Sequence, residues 1–202
     1  PGNVHDSIPY LSRLDRQKDR FGFEVEHVGL DAGYFTAALC KGLEDRQVQG
    51  VMGYRRPNHK QGYFYKREYR YDPQADEYRC PAGERLIYRT TSREGYRHYQ
   101  SDPAICRHCE YRPRCTRNAK HQKTLTRHVW EDSKERANVY RLSERGKAIY
   151  QRRKETVERS FADAKELHGY RYARYRGLQK VAAQCLLTAA AQNMKKIALM
   201  AA

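Results

Sequence analysis

The sequence predicts a protein of the α/β class, made of a small alternating core, a β-rich insertion that contains cysteines, and a helical C-terminal third. Three observations carry that prediction. Helix and strand periodicities alternate through the first 53 residues, tyrosine and cysteine concentrate in the middle, and helical spacing runs almost unbroken from about residue 128 onward.

The elements follow in order. "HDSIPYLSRLDRQKDRFG" places Ile8, Leu11 and Leu14 on one helical face and stops at Gly22. "FEVEHVGLD" alternates Phe23 and Val25 with polar residues, as a strand does, and Asp31 falls where that strand ends. "YFTAALCKGLEDRQ" resumes helical spacing through Phe35, Leu39 and Leu43, and "VQGVMGY" is a short apolar strand. Helix, strand, helix, strand implies parallel pairing in a covered sheet. From Tyr54 to Arg127 lie ten of the 17 tyrosines and 18 Lys or Arg against eight acids. Runs such as "GYFYKREYRYD" and "ERLIYRTT", broken by Pro73, Pro81 and Gly83, predict short antiparallel strands and turns. The expected divisions are therefore 1–53, 54–127 and 128–202, with Gly169 and Gly177 breaking the final helices.

The chain has 202 residues and a net charge of +16. That excess favours a polyanionic partner, nucleic acid before membrane. The one long apolar stretch, from Gly177, is interrupted by Lys180, Gln184, Gln192, Asn193, Lys195 and Lys196, and reads as a packing helix rather than a membrane span. "PGNVHDSIPY" has neither an initiator Met nor the features of a secretory signal, so upstream sequence is expected. Without an export signal, a reducing cytosol and a metal site explain the cysteines better than disulfides do.

Cys106-x2-Cys109-x5-Cys115, with Cys80 in "YRCPAG", supplies four thiolates for a tetrahedral structural Zn2+. His108 and His121 are spare ligands. The spacing also resembles the iron–sulfur clamp of some RecB-like nucleases, and unligated thiols are the third alternative. Cys40 and Cys185, on apolar helical stripes, read as small buried hydrophobes.

In "RRKETVERSFADAKELHG", helical spacing sets Lys154, Glu158, Phe161 and Lys165 along one face, with Val157, Phe161 and Ala164 available for packing. Taken alone, Glu158 reads as part of a surface ion-pair ladder, and Glu155 fills the same role equally well. The order Tyr150, Glu158, Lys165 resembles the C-terminal signature of bacterial insertion-sequence transposases of the DDE type. "VGLDAGY" resembles the strand of that family that ends in its second catalytic aspartate, and "PGNVHDS" a segment that precedes it. The family places an Arg four residues before the Glu, where this chain has Lys154, with Arg153 adjacent.

The resemblance covers about 1–53 and 135–180, and it implies an incomplete ribonuclease-H-like domain. It implies Asp31 and Glu158 as catalytic ligands of Mg2+ or Mn2+ and Lys165 on DNA phosphate. A first aspartate is expected upstream of this chain, with Asp6 as a helix cap or brace. DNA, at transposon ends and target, is the implied partner, in the bacterial cytoplasm beside the nucleoid; self-association is left open. Lys154, Arg153, Arg171, Arg174 and Arg176 line the expected phosphate path. The basic tyrosines of the middle segment are expected either to stack on exposed bases or only to pack a sheet. A zinc-stabilised DNA-binding module without catalysis is the competing reading.

Overall fold

The first helix, α1 (Tyr10–Phe21), begins directly after Pro9 and ends at Gly22, whose φ of 65° is left-handed and whose N–H returns to the Lys18 carbonyl at 2.8 Å. The structure, a computed structural model, describes residues 4–56, 58 and 60–201, apart from the side chain of Lys154. Within α1 Leu14 is buried and Leu11 packs beside it, but Ile8 precedes the helix and is 71% exposed. The predicted apolar face thus starts one turn late.

β1 (His27–Leu30) is shorter than the alternation suggested. Phe23 lies outside it, stacked on Phe21 at 5.4 Å. After a 3-10 turn over Ala32–Tyr34, α2 (Ala37–Glu44) is capped by the Thr36 hydroxyl, which accepts from Leu39 N at 3.2 Å. β2 (Gln49–Met52) pairs parallel with β1, His27 opposite Gln49 and Leu30 opposite Met52, as the alternation predicted. Leu14, Leu39, Cys40, Leu43, Val48, Met52 and Ala137 form the core of this unit, so Cys40 is the small buried hydrophobe expected.

The middle of the chain folds as a five-stranded antiparallel meander: β3 (Arg70–Asp72), β4 (Glu77–Arg79), β5 (Arg85–Thr91), β6 (Tyr96–Ser101) and β7 (Thr124–His128), each beside its sequence neighbour. Two short helices, α3 (Pro103–Arg107) and α4 (Arg112–Cys115), lie between β6 and β7. Tyr69, Tyr78, Leu86, Tyr99 and Leu125 are buried together, with the Tyr78 and Tyr99 rings edge-on at 5.2 Å. Glu77 is held by Arg79 at 3.2 Å and Arg85 at 2.5 Å. Arg127 lies 4.1 Å over the Tyr71 ring and pairs with Glu135 at 2.6 Å.

Burying tyrosines requires partners for their hydroxyls. Tyr71 and Tyr99 both donate to one oxygen of Asp76, at 2.7 and 2.5 Å. Partial burial alone would raise that carboxyl; the Tyr99 and Tyr71 hydroxyls, with Arg97 and Arg127 nearby, hold it below the usual carboxylate range. A depressed folded pKa contributes stability above the unfolded value of about 4 and loses it as pH falls through the folded one. Acidification from pH 6 to pH 3 is therefore expected to lower the melting temperature of this unit more in the unmodified chain than in Asp76→Asn. Equal losses in the two proteins would show that Asp76 does not carry the effect.

The C-terminal third is helical, as predicted: α5 (Glu131–Leu142), α6 (Glu144–Arg153), a π-helical turn over Lys154–Glu158, α7 (Arg159–Leu167) and α8 (Leu178–Ala201). The breaks are at Gly169, φ 63°, and Gly177, φ 90°. Of the three predicted packing residues only Ala164 is buried; Val157 and Phe161 are exposed. α8 is not the apolar packing helix expected, because Leu186, Leu187, Ile197 and Met200 are exposed. Polar groups fix it, Gln192 donating to the Ser160 carbonyl at 2.6 Å and Gln184 to that of Tyr172 at 2.9 Å. No helix among the described residues is long and apolar enough to cross a membrane. The chain separates into two compact units, Pro1–Tyr54 with Arg136–Ala202, and Arg55–Glu135.

Candidate functional site

Asp31 directly follows β1 and caps the 3-10 turn, its carboxylate accepting from Gly33 N at 2.9 Å. Two glycines let α6 approach the same place. A Cβ on Gly29 would lie 3.7 Å from Cβ of Arg153, so the end of α6 runs against β1 two residues before Asp31. A Cβ on Gly53, just after β2, would come within 2.7 Å of the Tyr150 hydroxyl and 2.9 Å of Ala32 N. Only glycine permits that approach. Tyr150, Arg153 and the Asp31 turn therefore meet at the C-terminal ends of the two parallel strands, the usual location of sites in open α/β sheets.

The π turn decides which residues face each other there. In a regular helix the neighbour of Arg153 one turn on is Val157; the wider π turn takes in one more residue, and Arg153 Nη1 donates to Glu158 Oε1 at 2.6 Å. The basic partner of Glu158 is thus Arg153, while the side chain of Lys154 lies outside the described residues. Beyond the π turn α7 is regular, so Glu158, Phe161 and Lys165 keep the common face that their spacing predicted. The missed signal was in the sequence: Arg153 and Glu158 are separated by one residue more than the family spacing, and an extra residue in a helix is absorbed as a π turn. Glu155, the alternative, is exposed and the ion pair falls to Glu158.

Asp6 does not cap α1, whose N-cap is Pro9. Tyr34 titrates above its ordinary range, chiefly through burial and then through the charges of Asp6 and Asp31. Lys165 is exposed on α7. Arg171 pairs with Glu166, the Arg174 guanidinium lies against Gly169, and Arg176 is exposed. In donor chemistry Asp31 and Glu158 fit hard divalent cations, although each carboxylate is held by a local donor.

The four clustered cysteines converge. Cys80, Cys106, Cys109 and Cys115 line one pocket under β5 and the two short helices. Cys115 Sγ is 3.2 Å from the Tyr69 hydroxyl, and Cys106 donates to Ser101 Oγ at 3.2 Å. Burial pushes the Cys106 thiol up, Ser101 draws it partly back, and Cys115, Cys109 and Cys80 add to the rise. As they stand, no three or more His, Cys, Asp or Glu among the described residues are grouped to hold a metal ion. His121 is engaged by Arg112 at 3.1 Å. Cys185 is half-buried, its Sγ 3.2 Å from the Tyr170 hydroxyl.

A sequence model of the transposase DDE domain family matches residues 79–198, more than half of the 202-residue chain. The chain belongs to that family. As a DDE-type transposase it falls among the enzymes of DNA transposition carried by insertion sequences, which generally use divalent metals. The match to the DDE domain spans Glu158, Lys165 and all four pocket cysteines, and Asp31 precedes it. No curated protein and no solved structure matches the chain.

Proposed function

We propose that this chain is the C-terminal part of a DDE transposase catalytic domain of ribonuclease-H-like fold, performing strand cleavage and transfer once a first aspartate is supplied from upstream. What supports the reading is that Arg153, which pairs with Glu158, packs against β1 two residues before Asp31. In this reading 1–53 and 128–202 build the core and 54–127 is an insertion. Asp31 and Glu158 would hold Mg2+ or Mn2+, which would supply activation of the attacking oxygen and stabilisation of the leaving one. Arg153 fixes the Glu158 carboxylate in one orientation, and the Tyr150 hydroxyl closes the strand ends against Ala32. Lys165 and Arg176 remain for DNA phosphate, and Lys154, Arg171 and Arg174 extend that path. A structural Zn2+ on the four pocket cysteines, self-association on DNA and a cytoplasmic, nucleoid-associated location belong to the same reading.

Incubated with transposon-end duplex and Mg2+ or Mn2+, this chain is expected to bind DNA and leave both strands intact. Extension with its upstream coding sequence is expected to restore nicking. Metal-dependent nicking by the chain alone, abolished by Glu158→Gln, would overturn the fragment reading. An extended protein that binds DNA but never cleaves would instead favour a zinc-stabilised DNA-binding module, which the converging cysteines make the second reading.

A further inference from the structure

Two segments of the sheet unit, 55–70 and 107–123, hold twelve Lys and Arg against two acids, an excess of ten charges in a chain of net +16. They are distant in sequence and joined in space. Phe64 N donates to the Arg114 carbonyl at 2.9 Å, and the Phe64 ring meets the edge of Tyr111 at 5.9 Å.

Along this seam the cations lie on rings. Arg114 is 4.6 Å from the Phe64 centroid, Arg67 is 4.6 Å from that of Tyr65, and Lys60 and Arg117 are each 5.4 Å from that of Tyr63. All four are exposed, and no ion pair with a carboxylate occupies them among the described residues. Lys66, by contrast, reaches Glu131 at 3.8 Å. Stacking orders a guanidinium through its flat face and leaves its N–H edge free for a phosphate, where bidentate donation is strongest.

We propose that this seam is a phosphodiester-binding face for duplex DNA, made of residues other than Asp31 and Glu158. It rests on the reading of the protein as DNA-acting and adds where the backbone lies. The same geometry selects duplex over single strand. Base stacking needs open aromatic faces, and here Tyr63, Phe64 and Tyr65 carry cations instead. The rings organise the charges and the charges meet the phosphates.

The test is equilibrium binding of a labelled duplex at several salt concentrations by the unmodified chain and by Arg67→Gln/Arg114→Gln/Arg117→Gln. Removing three phosphate contacts is expected to flatten the slope of log K against log salt by about 3 and to weaken binding about a hundredfold or more at 0.1 M salt. Circular dichroism checks the fold; if the triple variant misfolds, Arg67→Gln alone is expected to flatten the slope by about 1. An unmodified chain that binds duplex while the variants match it in affinity and slope overturns this face and leaves the DNA-acting reading standing. An unmodified chain that binds no duplex overturns both. Tighter binding of single-stranded DNA or RNA than of duplex overturns the choice of partner.

Discussion

Protein purified under reducing, chelator-free conditions is expected to carry one zinc per chain, and its removal is expected to loosen the sheet unit more than any single side-chain deletion. α3 and α4 have five and four residues and bury none, so the segment from Asp102 to Lys123 has little apolar packing of its own. What it has is thiols at turns. Cys80 opens a tight turn, its carbonyl accepting from Gly83 N at 2.8 Å and its N–H donating to the Glu84 carbonyl at 2.9 Å, with Gly83 at φ 86°. Cys109 N returns to the Cys106 carbonyl at 3.4 Å, and Cys115 closes α4. Loading requires Cys106 and Cys115 to leave Ser101 and Tyr69, two hydrogen bonds worth about 1 kcal/mol each. Four zinc–thiolate bonds would outweigh that cost, and zinc a thousandfold above its dissociation constant would stabilise by about 4 kcal/mol. The melting temperature of the sheet is then expected to fall by roughly 15 °C or more on chelation. Cys106→Ser/Cys109→Ser is expected to show the lower value with or without zinc. Elemental analysis finding no metal, with all four thiols titrating freely and melting insensitive to chelator, would eliminate the site; iron in place of zinc would move it to the iron–sulfur alternative.

How much of this was legible in the sequence depended on which interactions are local. Gly22, Gly169 and Gly177 end or separate helices because a left-handed backbone is a property of the residue itself, readable without knowing the fold. Leu39 and Leu43 were found by spacing because α2 is regular and buried along one face. Ile8 was misplaced because Pro9 delays the start of α1, and Phe23 because strand alternation reports only burial of one face, while pairing with β2 begins at His27. The π turn escaped for a deeper reason. Periodicity assumes the very regularity that an extra residue breaks, so the chain showed Lys154 at the expected distance from Glu158 while the structure pairs Glu158 with Arg153. Likewise the tyrosines of the middle segment announced themselves by number, but their roles divided only in three dimensions. Tyr78 and Tyr99 are core, whereas half-buried Tyr63 and exposed Tyr65 carry cations that lie at the surface.

In the protein extended by its upstream sequence, Arg153→Ala is expected to slow strand nicking about 10- to 100-fold, the usual cost of losing a group that orients a metal ligand. Glu158→Gln is expected to cost more than that, because it removes the ligand charge itself. The two effects are not expected to add, since both act on one carboxylate. Metal dependence separates them from a structural defect. Arg153→Ala keeps the Glu158 charge, so raising Mg2+ or Mn2+ is expected to recover part of its rate, whereas Glu158→Gln is expected to stay inactive at any metal concentration. Deleting Val157 gives a complementary test. It shortens the Arg153 to Glu158 separation to that of a regular helical turn, so the ion pair survives without the π turn. If the π turn serves only to bring that pair together, the deletion variant should nick DNA while Arg153→Ala does not recover without added metal. A deletion variant as slow as Glu158→Gln, with an unchanged melting temperature, would mean instead that the turn also aims Glu158 toward the strand ends, a role Arg153 cannot supply alone.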